Sequence, residues 1–197
     1  MGDDPVRLPA LIEVPDRPEV SIRLWQVTDA PVLAEAVTES IEHLRPFMPW
    51  VAQEPLTDED RAQRITDSLA EWADGGDAFY AIWLADRAVG ALGAHHRIGP
   101  HGLEIGYWLR PEVEGRGIMT AAVRAVTAAL LDLPGITRIE IRMDEANERS
   151  AAVPRRCGYR LVAREQRPVE APAETGWGYA WRFGADPGPQ SVSEFAG

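Results

Sequence analysis

Apolar and polar residues alternate from Glu19 to Gln26, with Val20, Ile22 and Leu24 on one face, and this period of two predicts a strand. Thr28-Asp29 supplies a helix start, and a first helix follows to about Ser40. Two prolines interrupt His43–Val51, so this aromatic-rich stretch is expected to be a loop. Thr57-Asp58-Glu59-Asp60 has the form of a capping box, and Ile65, Leu69 and Trp72 recur behind it at helical spacing until Gly75-Gly76. Strands are predicted over Ala78–Leu84 and Ala88–His95, around the turn Ala85-Asp86-Arg87. Another apolar run stops at Pro111 and leads, through a Gly-Arg-Gly turn, into a helix with Met119, Ala122, Val123, Val126 and Leu130 as its buried stripe. Ile136–Met143 alternates again, Asn147–Arg156 reads as a short helix, and Tyr159–Ala163 and Gly178–Phe183 as strands. This mixed order predicts an α+β domain with one central, largely antiparallel sheet. Residues 1–18 are expected to be an irregular lead-in, 19–184 a single domain, and 185–197 a loose tail.

The most informative stretch is the turn Gly115-Arg116-Gly117 with the helix start Ile118-Met119-Thr120. Glycines let the backbone approach a ligand, and the first amides of a helix point outward unpaired at the positive end of its dipole. Such a turn binds phosphate oxygens. No Gly-Lys-Ser/Thr follows, so it is not a Walker loop, and Thr120 stands where a dinucleotide fingerprint needs its third glycine. Asn147, at a strand exit before a helix, reads either as a helix cap or as an amide that bonds a ligand.

Composition narrows the classes. The chain has 197 residues and a net charge of −11, with no run near the roughly 20 apolar residues of a membrane helix. Acidity disfavours nucleic acid and anionic lipid as partners and attracts amines, although solubility alone also explains it. Cys157 is the only cysteine, which rules out an internal disulfide and fits a reducing cytoplasm. No His/Cys cluster has zinc spacing, and adjacent His95 and His96 are expected to face opposite sides of a strand, so no metal is expected.

Taken together, several segments resemble the GNAT superfamily of acyl-coenzyme A transferases, nearest to the ribosomal-protein-serine/alanine N-acetyltransferases. The likeness lies in His43-Leu44-Arg45-Pro46-Phe47-Met48-Pro49-Trp50, Ile105-Gly106-Tyr107-Trp108-Leu109, Gly115–Val123, Asn147-x-x-Ser150 and Gly158-Tyr159, in the family's order and spacing over roughly residues 20–184. It implies a mixed, mostly antiparallel sheet with helices on both faces, whose fourth and fifth strands splay to admit acetyl-coenzyme A or another acyl-coenzyme A. By position, the backbone of Trp108, Leu109 and Arg110 would bond the pantetheine arm. The amides of Gly115, Arg116, Gly117, Ile118, Met119 and Thr120 would hold the pyrophosphate, and Asn147 would reach the pantetheine. Phe47 and Trp50 would line the acceptor pocket. The group also implies a homodimer as an assembly to consider.

Two departures stand out. Glu114 replaces the Gln or Arg that usually opens the family's turn, and Pro154 occupies the position of the usual tyrosine acid. Ser150 is then the candidate donor to the departing thiolate, and Glu104 the candidate base for the amine, directly or through water. The expected activity is acetyl transfer to a primary amine, on a protein N-terminus or a small molecule. A longer donor such as succinyl-coenzyme A is an alternative, with Arg45, Arg97 or Arg110 to pair its extra carboxylate. The other alternative is a module that holds coenzyme A without turnover.

Overall fold

The computed structural model describes residues 7–186. In chain order the elements are β1 (Leu11–Glu13), β2 (Val20–Leu24), α1 (Ala30–Leu44), α2 (Asp58–Ala73), β3 (Ala78–Leu84), β4 (Arg87–His95), β5 (Gly102–Leu109), α3 (Ile118–Leu131), β6 (Arg138–Asp144), α4 (Glu148–Arg156), β7 (Arg160–Gln166) and β8 (Trp177–Gly184). Short 3₁₀ turns at Pro49–Gln53 and Pro111–Val113 add single turns between them. The eight strands form one sheet in the order β1-β2-β3-β4-β5-β6-β8-β7. Every pairing is antiparallel except β5 with β6.

Side-chain alternation sends the sheet's two faces to two helix layers. Val20, Ile22 and Leu24 of β2 join Ile105, Ile139 and Ile141 under α3, whose Ala122, Val123, Val126 and Leu130 are buried. On the other face, Ala81, Ala91 and Trp108 pack with Leu33, Ala36 and Val37 of α1 and Ile65 of α2. Thr57 caps α2 by accepting from the Asp60 amide at 3.1 Å.

Two readings of the sequence need correction. The lead-in contains β1, which is too short to show a period and is held by its pairing with β2. The first helix continues past Ser40 through His43 and Leu44, because the first proline comes only at Pro46. Pro154 lies inside α4, seven residues after the cap, within the helical stretch the sequence predicts. The expected tail over 185–197 lies largely outside the described residues.

The family's fourth and fifth strands are β5 and β6 here, because β1 adds one strand in front. Their parallel pairing covers only Gly102–Glu104 against Arg138–Glu140. Beyond it each strand keeps its outer neighbour: β5 stays on β4 to Leu109, and β6 stays on β8 to Asp144. The two therefore part, and a seam opens in the sheet between them.

Arg110 anchors the end of β5. Its side chain is fully buried, paired with Glu39 and, at 3.1 Å, with Glu35, both on α1. The carboxylates are half exposed and can return to water, whereas the guanidinium cannot. We expect Arg110→Met to cost less stability than Glu35→Gln combined with Glu39→Gln, the double substitution costing about 2 kcal/mol in urea unfolding.

Candidate active site

The seam is lined by backbone. The Arg110 amide donates to the Val89 carbonyl at 2.8 Å, which fixes the register of β5 on β4. Alternation then turns the polar groups of Trp108 toward β4 as well, and leaves those of Tyr107 and Leu109 facing the seam. The backbone of Leu109 is thus open to the seam. The backbone N–H groups of Trp108 and Arg110 are not, because β4 uses them; Tyr107 supplies the second free backbone position.

A cleft of about 970 Å³ runs from the seam to the start of α3. Gly115 and Gly117 both take left-handed φ, +72° and +77°, which L side chains rarely adopt. The first helical bond of α3 is donated by Ala121 to the Gly117 carbonyl, and no side chain caps the helix. The amides of Ile118, Met119 and Thr120 are thus left outside the helical ladder at the cleft's wall. Arg116 is exposed and does not line the cleft, although its carbonyl accepts from Arg17 at 2.7 Å. Arg17, from the segment before β2, brings a guanidinium beside the turn that the sequence did not reveal. Glu114 lines the cleft too, paired with His43 Nε2 at 2.8 Å and Arg149 at 2.9 Å, so Arg149 offsets its charge within the fold.

Asn147 is a helix cap whose amide nitrogen is left over. Its Oδ1 accepts from the Ser150 amide at 3.1 Å and caps α4. Its amide nitrogen makes no hydrogen bond among the described residues, and the residue lines the cleft. Cys157 is buried, with its thiol donating to the Thr120 carbonyl at 3.5 Å; burial pushes the thiol up, as suits a packing role.

Pro154 has a consequence of its own. Lacking an N–H, it cannot donate to the Ser150 carbonyl one turn back. The Tyr107 hydroxyl takes that vacancy, donating to Ser150 O at 3.0 Å, while Ser150 Oγ donates to the Tyr107 oxygen at 3.4 Å. Burial pushes the Tyr107 phenol up, against the hydrogen bond to Ser150, so it stays a neutral donor. A hydroxyl from β5 therefore stands near the region where the family's tyrosine would come from α4. A proline one turn after a serine was the signal for it.

A second cleft of about 670 Å³ lies on the α1/α2 face and meets the first at Phe47, Met48, Tyr107, Trp108, Asn147 and Ser150. Trp50 packs on Trp108 with ring centroids 6.3 Å apart, and Phe47 and Trp50 both line this cleft. Glu104 lies in it, buried, but its carboxylate is held by Arg97 and lies 3.8 Å from Arg142. The three cations considered for a succinyl group are all engaged: Arg97 by Glu104, Arg110 by Glu35 and Glu39, and Arg45 by Glu42 at 3.0 Å. Among the described residues no helix is long and apolar enough to cross a membrane.

Comparison with known proteins agrees with this geometry. YdaF of Bacillus subtilis (strain 168), named as a candidate ribosomal N-acetyltransferase, is 29% identical over 141 residues, covering 71% of this chain and 77% of its own. RimL, the ribosomal L7/L12 α-N-protein acetyltransferase solved in complex with coenzyme A, superposes with a TM-score of 0.80 at 21% identity, over 88% of this chain and 97% of RimL. The microcin C7 self-immunity acetyltransferase MccE, solved with acetyl-coenzyme A and AMP, gives a TM-score of 0.80 at 20% identity, over 91% and 99%. At these identities the solved structures establish the fold. Residues 19–160 match the acetyltransferase (GNAT) domain model, and the chain is accordingly a member of the GNAT acetyltransferase family.

Proposed function

We propose that this protein transfers acetyl from acetyl-coenzyme A to a primary amine, by direct attack in a ternary complex. The observation that carries the reading is the junction of the two clefts at Tyr107, Trp108 and Ser150: a thioester lying along the seam meets an amine entering from the other face. The backbone at Tyr107 and Leu109 bonds the pantetheine amides. The α3 amides and Arg17 hold the pyrophosphate, and the amide nitrogen of Asn147 adds a donor to the pantetheine. The free amine bonds to the thioester carbon, the C–S bond breaks, and its electron pair leaves on sulfur. The Ser150 hydroxyl, whose bond to the Tyr107 oxygen is long at 3.4 Å, turns to donate to that developing thiolate, while Tyr107 holds the Ser150 carbonyl in place.

The preferred acceptor is an N-terminal α-amine. At pH 7 roughly a seventh of such amines are free base, against roughly one lysine in 2,500. RimL, named as acetylating the α-amine of a ribosomal protein, supports the same choice. The engaged states of Arg45, Arg97 and Arg110 favour acetyl over succinyl as the group transferred. The matched charge of Glu114 and the Tyr107 hydroxyl answer the two features that favoured a module without turnover.

Release of coenzyme A thiol from acetyl-coenzyme A, measured over N-terminal peptides, lysine peptides and small amines, tests the reading. We expect turnover with α-amine peptides; coenzyme A binding without turnover on any acceptor identifies the module instead. Arg17→Ala is expected to raise KM for acetyl-coenzyme A about 5-fold with kcat unchanged, since a half-exposed charge-assisted contact contributes about 1 kcal/mol. Tyr107→Phe and Ser150→Ala should each lower kcat about 10–100-fold with KM for acetyl-coenzyme A little altered, and the double variant should lose less than their product because the two hydroxyls are bonded to each other.

A further inference from the structure

One polar cluster on the acceptor side has no part in the steps above. His95 ends β4 on the face that carries Gly93, Ala91 and, across the strand pair, Glu104, Gly106 and Trp108. Its Nδ1 lies 2.7 Å from Asp77 Oδ2, just before β3. The other oxygen of Asp77 accepts from the His96 amide at 2.7 Å and lies 3.3 Å from His96 Nδ1. His95 and His96 thus share one carboxylate, although they are neighbours on a strand end. Burial works to raise the Asp77 carboxyl, but the bonds from His96 and His95 outweigh it and hold it below its ordinary range. An ionised carboxylate offers only acceptors, so Nδ1 of His95 must carry the ring's proton, and Nε2 of the neutral ring is left with a free lone pair.

That lone pair belongs to the acceptor cleft. His95 lines it, and its ring leans back along β4 until Nε2 lies over Gly93; a Cβ at position 93 would overlap Nε2 and stand 2.9 Å from Cε1. Gly93 is paired with Gly106, where a Cβ would meet nothing within 4 Å. The ring thus covers Gly93, and the floor beside it, at Gly106, is open. From the Gly93–Gly106 level to the Ala91–Trp108 level, where the two clefts meet, is two residues of strand, or about 6.6 Å. That span fits an amine nitrogen with a hydrogen bond on one side and a bond-forming carbonyl on the other, directly or with one water between. Glu104, the other candidate in this cleft, has its carboxylate taken up by Arg97 and Arg142.

We propose that His95 is the general base of the transfer, with Asp77 as its positioning residue. The inference rests on the acetyl-transfer reading above. Nε2 accepts one proton from the acceptor nitrogen as that nitrogen bonds to the thioester carbon. The sulfur departs with the C–S electron pair and takes a proton from the Ser150 hydroxyl, which regains one from water as the imidazolium returns its proton to water. One proton leaves nitrogen and one reaches sulfur, so the step balances. The charged groups facing the ring are Asp77 before β3, His96 and Arg97 after β4, and Glu104 on β5, with Arg64 of α2 and Glu170 before β8 farther around the cleft.

Two measurements test this on the full chain. Nitrogen-15 NMR of the imidazoles at neutral pH is expected to show His95 as the Nδ1–H tautomer, and this tautomer to be lost in Asp77→Ala; a wild-type Nε2–H tautomer overturns the inference whether or not turnover is seen. The second is the pH profile of kcat/KM with an α-amine peptide, where wild-type turnover itself checks the acetyl-transfer reading. Both the amine and His95 must lose a proton, so the acid limb of the logarithmic profile should approach a slope of two. His95→Gln should lower kcat about 100-fold, reduce that slope to one, and leave acetyl-coenzyme A affinity unchanged by calorimetry; added imidazole should partly restore His95→Ala. In Glu104→Gln the slope of two should persist. A His95→Gln enzyme within about 3-fold of wild type, or loss of the second proton in Glu104→Gln instead, contradicts the assignment.

Discussion

The rest of the structure depends on a parallel pairing only three residues long. β5 and β6 bond over Gly102–Glu104 and Arg138–Glu140, then each follows its outer neighbour. A buried backbone group without a partner costs about 1–3 kcal/mol, so sheets ordinarily zip to their ends. Here the outer pairings with β4 and β8 hold the two strands apart, and Tyr107 braces the gap by reaching to Ser150 on α4. The polar groups left along β5 form an edge inside the protein, suited to a ligand that carries amides at strand-like spacing. The position of α3 follows from the same break, because β5 must leave the sheet through the Pro111–Val113 turn before the glycine turn starts the helix at the mouth of the cleft.

Charge serves this arrangement in a chain that is strongly acidic overall. Arginines tie the pieces that shape the clefts: Arg110 joins the end of β5 to α1, Arg97 and Arg142 hold Glu104, and Arg149 with His43 binds Glu114. Arg17 sits at the turn without needing to be near it in sequence. The acceptor side combines aromatic walls, the Gly93–Gly106 pair, the arginine-held Glu104 and one imidazole with an unshared nitrogen.

Much of this was legible along the chain, because it depends on local pattern. The alternation of Val20, Ile22 and Leu24, the stripe of α3, and the Gly-Arg-Gly turn each report contacts made within a few residues. The family likeness added the splayed seam, which no local pattern contains. Contacts across long separations were not legible. Arg17 reaches Arg116 across 99 positions and Tyr107 reaches Ser150 across 43. Nothing local announces that Asp77 will stand beside His95, and strand alternation misled about His96, because the strand ends at His95 and the alternation ends with it. Arg110 was misread for a related reason: which backbone groups face a seam depends on the register with β4, fixed by a single bond to Val89.

The central claim is that the free edge of β5 and the uncapped start of α3 together hold acetyl-coenzyme A. A crystal structure of the acetyl-coenzyme A complex tests it most directly. The account requires the pantetheine amides to bond the backbone of Tyr107 and Leu109, the pyrophosphate to sit on the amides of Ile118–Thr120, and the acetyl carbon to lie between Trp108 and Ser150. A ligand bound elsewhere with the seam filled by water, or β5 and β6 zipped together past Glu104, would contradict it.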